Sequence, residues 1–259
     1  MHQKETNAST GNFGALVKEY NAIRPSYPPP VLSFIASYIE ETNPRVLDIG
    51  CGTGISTRQL AAKLKGTVIG CDINLEMLKT AIGHGQKGVG YSLGDARKIL
   101  FENESFNIVT AFTAFHWFTD KPALKEISRV LKKDGHFCTV QPRHTSPFSG
   151  DLRMILQYEF KREFPASYSN VDFEESLTKN GFKLIAKKTF RDEHTYTLDE
   201  YLILLQSYSV WGNVPLTDRT RILKVLKKHF STKTKDGLIR DTRDIEVLIA
   251  EPRYHSPVR

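Results

Sequence analysis

The chain has 259 residues, a formal net charge of +7, 40% hydrophobic and 25% charged residues, and three cysteines. This length buries a full core as one domain with insertions or as a domain plus a subdomain, and the composition is ordinary for a soluble globular enzyme. No apolar run approaches the roughly 18 residues that span a bilayer, the opening Met1-His2-Gln3-Lys4-Glu5 lacks the apolar stretch of a secretory leader, and Cys51, Cys71 and Cys138 form no CxxC pair. Membrane insertion, a disulfide framework and a zinc or other metal site are therefore disfavoured, and a cytoplasmic setting with buried thiols is expected.

The positive charge is spread along the chain. Residues 1–140 carry 16 basic and 13 acidic side chains, and the remainder carries 20 and 16. The densest basic run, Arg219 to Lys235, places Ile222, Leu223, Leu226 and Phe230 at helical spacing with Arg221, Lys224, Lys227 and Lys228 on the other side. That pattern favours a solvated helix face over a phosphate-binding patch.

In chain order, residues 1–12 are polar and Phe13 to Tyr20 is a short candidate helix. Arg24-Pro25-Ser26-Tyr27 and the prolines at 28–30 force an extended segment, after which Pro30 suits the first turn of a helix reaching about Glu41. Arg45 to Ile49 is an apolar run with β-branched members and predicts a buried parallel strand. Gly50, Gly52 and Gly54 make the turn into a helix over Ile55 to Leu64, and Thr67 to Asp72 predicts a second strand. A helix over Asn74 to Ile82 follows, then a glycine-rich connector, Gly83 to Gly90, which precedes a strand and so does not read as a phosphate loop.

Val89 to Ala96 predicts the third strand and residues 105–112 the fourth. Lys121 to Leu131 is the next helix and Gly135 to Gln141 the fifth strand. Beyond a helical stretch including Asp151 to Phe164, Phe182 to Phe190 predicts a sixth strand and Leu238 to Ala250 contains a seventh, paired as a terminal antiparallel hairpin. Helices through Tyr208 and from about Asp218 lie between them, too much chain for a hairpin connection. The expected fold is α/β: a Rossmann-like, seven-stranded, mostly parallel sheet with helices on both faces and helical cover insertions. The expected divisions are an N-terminal lid and first helix over 1–43, a binding core over 44–141, and cover insertions with the last two strands over 142–259.

The glycine spacing is GxGxG, not the GxGxxG of dinucleotide folds. Asp48 precedes the first glycine by two residues. A carboxylate there repels a pyrophosphate and suits a ligand bearing cations, such as the ammonium and sulfonium of S-adenosylmethionine. Asp72, 22 residues after Gly50, stands where such folds place the acid for two ribose hydroxyls. Asp95, in Gly94-Asp95-Ala96, can accept a hydrogen bond from an adenine amino group. Each acid alone is equally readable as a helix cap.

Val46 to Gly54, Asp72, Gly94-Asp95-Ala96 and Phe106 to Ala111 together resemble the ordered motifs of class I S-adenosylmethionine-dependent methyltransferases, over roughly residues 44 to 141. Tyr20 to Pro28 and Ala114-Phe115-His116-Trp117-Phe118 are similar to the trans-aconitate methyltransferase-like group, which acts on small molecules. The resemblance implies a cofactor site at Asp48, Gly50, Gly52, Thr53, Gly54, Asp72, Ile73, Gly94, Asp95, Ala96, Ala111 and Phe112. It also implies a lid carrying Tyr20, Arg24 and Tyr27.

Trp117, Arg143, Tyr208, Trp211 and Asn213 are further substrate-side candidates, each equally readable as packing or solvated loop. His116 is the titratable group after the fourth strand, readable as base, donor or structural histidine. A carboxylate acceptor needs no base, only a cationic clamp, for which Arg24 and Arg143 with His144 are the candidates. Two alternatives stay open: a cofactor-binding protein without transfer activity, and a nucleic-acid methyltransferase. The second is disfavoured because the fourth strand is not followed by Asn/Asp-Pro-Pro and an aromatic.

Overall fold

A computed structural model describes residues 23–164 and 171–253. Tyr20 and the helix expected over 13–20 lie outside the described residues. Seven strands, β1 Arg45–Ile49, β2 Thr67–Asp72, β3 Val89–Leu93, β4 Phe106–Phe112, β5 Leu131–His144, β6 Phe182–Thr197 and β7 Leu238–Pro252, form one sheet in the order β3-β2-β1-β4-β5-β7-β6. β1 to β5 pair in parallel, and β7 runs antiparallel to β5. The ion pairs Lys183–Glu251, Lys187–Glu246 and Arg191–Asp244 descend in opposite sequence order along β6 and β7, as an antiparallel pair requires.

The order reverses between β1 and β4. At that point the connections leave toward opposite faces and open a crevice at the carboxyl ends of the strands. β4 lies at this centre, and all seven of its residues are buried, as expected of a strand covered on both faces.

Helices α1 Pro29–Ala36, α2 Ile55–Leu64, α3 Leu75–Gly83, α4 Lys121–Val130 and α6 Phe173–Lys179 accompany the sheet, while α5 Asp151–Phe160, α7 Leu198–Gln206 and α8 Arg219–Ser231 lie in the insertions. The described parts of Pro25–Ser146, Tyr168–His194 and Asp241–Arg259 form one compact unit, and those of Met1–Arg24, Pro147–Ser167 and Thr195–Arg240 form another. In the sheet unit, Ala123, Leu124, Ile127 and Val130 of α4 pack with Phe115, Phe137 and Phe182. A separate apolar layer joins Val31, Ile35, Leu60 and Leu64 to Ile108, Val140 and Val247. The strand residues of the two layers alternate in sequence, the period-2 signature of a sheet covered on both sides. In the helical unit Trp211, Phe230, Tyr201 and Leu156 form a core of its own.

Three of the differences from expectation have identifiable reasons. α1 stops at Ala36 instead of about Glu41, because the N–H groups of Tyr38 and Ile39 turn to carbonyls three residues back and tighten the last turn. β3 ends at Leu93 because Asp95 Oδ1 accepts from the Arg97 N–H at 2.9 Å and bends the chain. β5 extends to His144 because β7 pairs with it from Phe137 through His144, past the end of β4.

Candidate functional site

The three turn glycines all have positive φ, of 71°, 55° and 77°, but their surroundings separate them. A Cβ on Gly50 would lie 2.4 Å from Ala114 Cβ, and one on Gly54 would lie 2.3 Å from the Tyr91 hydroxyl. Both positions are closed by the protein itself. A Cβ on Gly52 would meet nothing within 4 Å among the described residues. Gly52 therefore faces an open cradle at the β1 end of the crevice, where backbone is bare enough for a ligand to approach closely.

Asp48 does not face that cradle. Its side chain is fully buried and accepts three hydrogen bonds, from Ser56 (2.8 Å), Thr57 (2.7 Å) and Thr110 (2.8 Å). Desolvation outweighs those donors and raises its pKa from 3.8 to about 6. The expectation of direct contact between Asp48 and a ligand cation is corrected: the carboxylate ties the start of α2 and the middle of β4 together behind the turn. Thr53 is buried as well, and its hydroxyl has no hydrogen-bond partner among the described residues.

Asp72, at the end of β2, accepts from the Gly52 N–H at 2.7 Å and from the Asn74 N–H at 2.8 Å. Burial raises its pKa in spite of these donors. The carboxylate is thus pinned beside the open glycine, with lone pairs left for a ligand diol. Ile73, next in sequence, is 58% exposed and gives the site an apolar surface beside the acid. Gly94 packs so closely that a Cβ would lie 2.9 Å from Cys71 Sγ, and Ala96 is buried. Asp95 remains partly exposed at the end of β3.

Ala111 and Phe112 are buried in opposite layers of the sheet core, so only their backbone is near the crevice floor. Beyond them Thr113 takes φ 53° and its side chain hydrogen-bonds the Tyr27 hydroxyl at 2.7 Å. Tyr27 is held further by both ends of the Gln59 amide, at 2.9 and 2.8 Å, and its ring meets Phe112 edge-on. Arg243 donates to the Ser26 carbonyl at 2.8 Å. The 25–28 segment is strapped to α2, β4 and β7 by these bonds.

His116 lies in the single 3₁₀ turn Phe115–Trp117 after β4, its ring tilted against that of Trp117 at 4.8 Å. Burial lowers its pKa from 6.5 to about 4, so the imidazole is neutral at pH 7 and weakly basic. Trp117 is 45% exposed. Phe112, Phe115 and Phe118 are core residues.

The remaining candidates belong to two different units. Arg24, in the helical unit, donates to the Ser207 hydroxyl and carbonyl, both at 3.1 Å, and lies over the Tyr208 ring. Trp211 is wholly inside the core of that unit, which removes it as a ligand-contacting residue, and the Asn213 carbonyl accepts from Arg162. Arg143, in the sheet unit, stands 3.8 Å from Glu246 on a cavity of about 310 Å³ that also holds Asp172, Glu174 and Lys187. His144 Nδ1 lies 2.9 Å from Asp241.

Ser56, Thr57, Thr110, Gln59, Thr113 and Arg97 were not singled out from the sequence. None carried a signal in the sequence alone; Thr110 is identified through its register with Asp48 once β4 is placed beside β1.

A methyltransferase domain family matches residues 47–139, a segment running from β1 through most of β5. An uncharacterised methyltransferase-like protein of Schizosaccharomyces pombe is 29% identical over 214 residues, covering 81% of this chain and 82% of that protein. A probable S-adenosylmethionine-dependent methyltransferase of Saccharomyces cerevisiae is 30% identical over 176 residues, covering 62% and 58%. Among solved structures, a proposed type II methyltransferase from Anaeromyxobacter dehalogenans superposes with a TM-score of 0.67 at 20% identity, over 88% of this chain and 97% of that one, which is a likeness of fold.

Proposed function

We propose that this chain, which belongs to the class I S-adenosylmethionine-dependent methyltransferases, methylates a small molecule at a carboxylate oxygen. The observation that carries the cofactor half is the Gly52 cradle with Asp72 pinned to its edge. When bound, S-adenosylmethionine supplies an activated methyl on a sulfonium. The chain's part is to hold and orient. Bare backbone at Gly52 admits the methionine portion, Asp72 accepts the ribose hydroxyls, Ile73 offers its apolar surface to the adenine, and Asp95 accepts the adenine amino group. The residues present fit the group, with Asp48 acting behind the turn.

The acceptor half is supported by what the crevice supplies for proton transfer. A neutral imidazole with a pKa of about 4 is a poor base for removing a proton from an alcohol or an ammonium. A carboxylate is already ionised at neutral pH and attacks without one. Alignment of the two reacting groups then carries most of the acceleration. The similarity of the Tyr20–Pro28 and Ala114–Phe118 segments to the trans-aconitate methyltransferase-like group points the same way. Of the two arginines considered as clamps, Arg143 is the one in the sheet unit. Its cavity contains three carboxylates and two cations, so a bound acid would have to displace Glu246 from Arg143.

The test supplies labelled S-adenosylmethionine with panels of small acids, amines, phenols and RNA. Base-labile methyl esters formed from acids alone, with acceptor KM raised by Arg143→Ala, are expected. Product on nitrogen, phenol or RNA contradicts the carboxylate reading and leaves the family assignment standing.

A further inference from the structure

Arg97 belongs to none of the motifs above, yet it joins the two halves of the crevice. Its backbone N–H donates to Asp95 Oδ1 at 2.9 Å, and its guanidinium lies 3.6 Å from the same oxygen. The same guanidinium donates to Asp120 Oδ2 through Nε at 2.9 Å and through a terminal nitrogen at 2.5 Å, and to the Trp117 carbonyl at 3.0 Å. Asp120 in turn caps α4, its other oxygen accepting from the Ala123 N–H at 3.1 Å. One planar fork thus touches the acid at the end of β3, the carbonyl closing the 115–117 turn, and the cap of the helix that follows. A single ammonium could not span the three.

The Arg97 and Asp120 side chains are 44% and 40% exposed. Ion pairs that open to water contribute little to stability, so the network's consequence is geometric. Trp117 is the exposed member of the turn and leans on His116.

We propose that Arg97 is a positioning residue that couples occupancy of Asp95 by the adenine end of the cofactor to the placement of the His116–Trp117 turn. This rests on reading Asp95 as the adenine acceptor. A donor arriving on Asp95 draws its carboxylate away from the 3.6 Å contact with the guanidinium, which leaves Arg97 held by Asp120 and the Trp117 carbonyl alone and lets the turn move with them. By linkage, a turn held in that arrangement strengthens cofactor binding in return.

The chain has two tryptophans, and Trp211 is sealed in the helical core, so emission reports on Trp117 when the difference from Trp117→Phe is taken. S-adenosylhomocysteine titrated into the full-length protein is expected to shift the emission, and Trp117→Phe should remove that shift. Arg97→Ala should bind the ligand within about fivefold of wild type by calorimetry while losing at least two thirds of the emission change. It should also raise the acceptor KM more than it lowers kcat, and Arg97→Lys should restore only part of both effects. A full emission change in Arg97→Ala, or one that survives Trp117→Phe, overturns the coupling. Asp95→Ala, which removes the acceptor, separates the two readings: unchanged affinity there removes Asp95 as the adenine acceptor and the coupling with it, whereas weakened affinity beside a full response in Arg97→Ala removes the coupling alone.

Discussion

Asp48 shows how a single buried carboxylate sets the acid–base behaviour of the fold. Its pKa is raised on folding, from 3.8 to about 6, with desolvation as the leading cause. The native state therefore binds this proton more tightly than the unfolded chain. The stabilisation it brings is complete below about pH 4 and is lost as pH rises through about 6, a change of about 3 kcal/mol by linkage. Urea unfolding of wild type and Asp48→Asn between pH 4 and 8 should show this as a fall in stability with rising pH that is about 3 kcal/mol larger in the first than in the second. Asp48→Ala leaves three buried hydroxyls without their acceptor, and a loss of about 3 kcal/mol at pH 7 is expected. Asp72→Ala, at the crevice, should instead weaken S-adenosylmethionine binding by about 1.5–3 kcal/mol in calorimetry with little effect on unfolding. His116, already neutral at pH 7, predicts a rate that falls only near about pH 4. An acid limb near 6.5 would contradict its buried placement.

At this scale the sequence showed where the acids fall but not which way they point. Asp48 and Asp72 are both strand-end carboxylates flanked by apolar residues. One turns inward to Ser56, Thr57 and Thr110, the other outward to the Gly52 and Asn74 N–H groups. Side-chain direction there depends on the pairing partner, and Thr110 became a partner only when β4 was placed beside β1. The glycines were legible as a turn, but their division of labour was not, because Ala114 and Tyr91 reach them from distant parts of the chain.

Among the elements, the 25–28 strap is the one whose behaviour follows most directly from its bonds. Both hydrogen bonds of the Tyr27 backbone go to the Gln59 side chain. Gln59→Ala should therefore raise amide exchange at Tyr27 well above that of its neighbours, while Tyr27→Phe, which removes the Thr113 bond and keeps both backbone bonds to Gln59, should not. The prolines at 25 and 28–30 made the extended shape predictable. The attachment points were not, since Gln59 and Arg243 lie 32 and 217 residues from their partners. α7 opens on a capping box, Thr197 with Glu200. Thr197→Ala should lower the stability of the helical unit by about 1 kcal/mol in thermal unfolding. Strands bounded by turns at both ends, such as β1 and β2, were predicted to the residue. β5 was not, because its last three residues exist as strand through pairing with β7, about 100 positions away.

For the whole molecule, the spread of charge follows from how the basic face of α8 is used. Arg221 pairs with Glu159 and Asp218, and Lys227 with Asp199. These pairings reduce the free positive surface that nucleic acid would need. No described helix is long and apolar enough to cross a membrane. Both units keep apolar cores of their own, and Gly52, Asp72 and Asp95 all belong to the sheet unit. Calorimetric titration of S-adenosylmethionine into wild type and Gly52→Ala tests the Gly52 cradle most directly, because a methyl there meets no atom of the described residues within 4 Å and carries the strain of a positive φ. The account predicts one site per chain in wild type and at least a tenfold loss of affinity in the variant, about 1.4 kcal/mol. Equal affinity in the two proteins would contradict it.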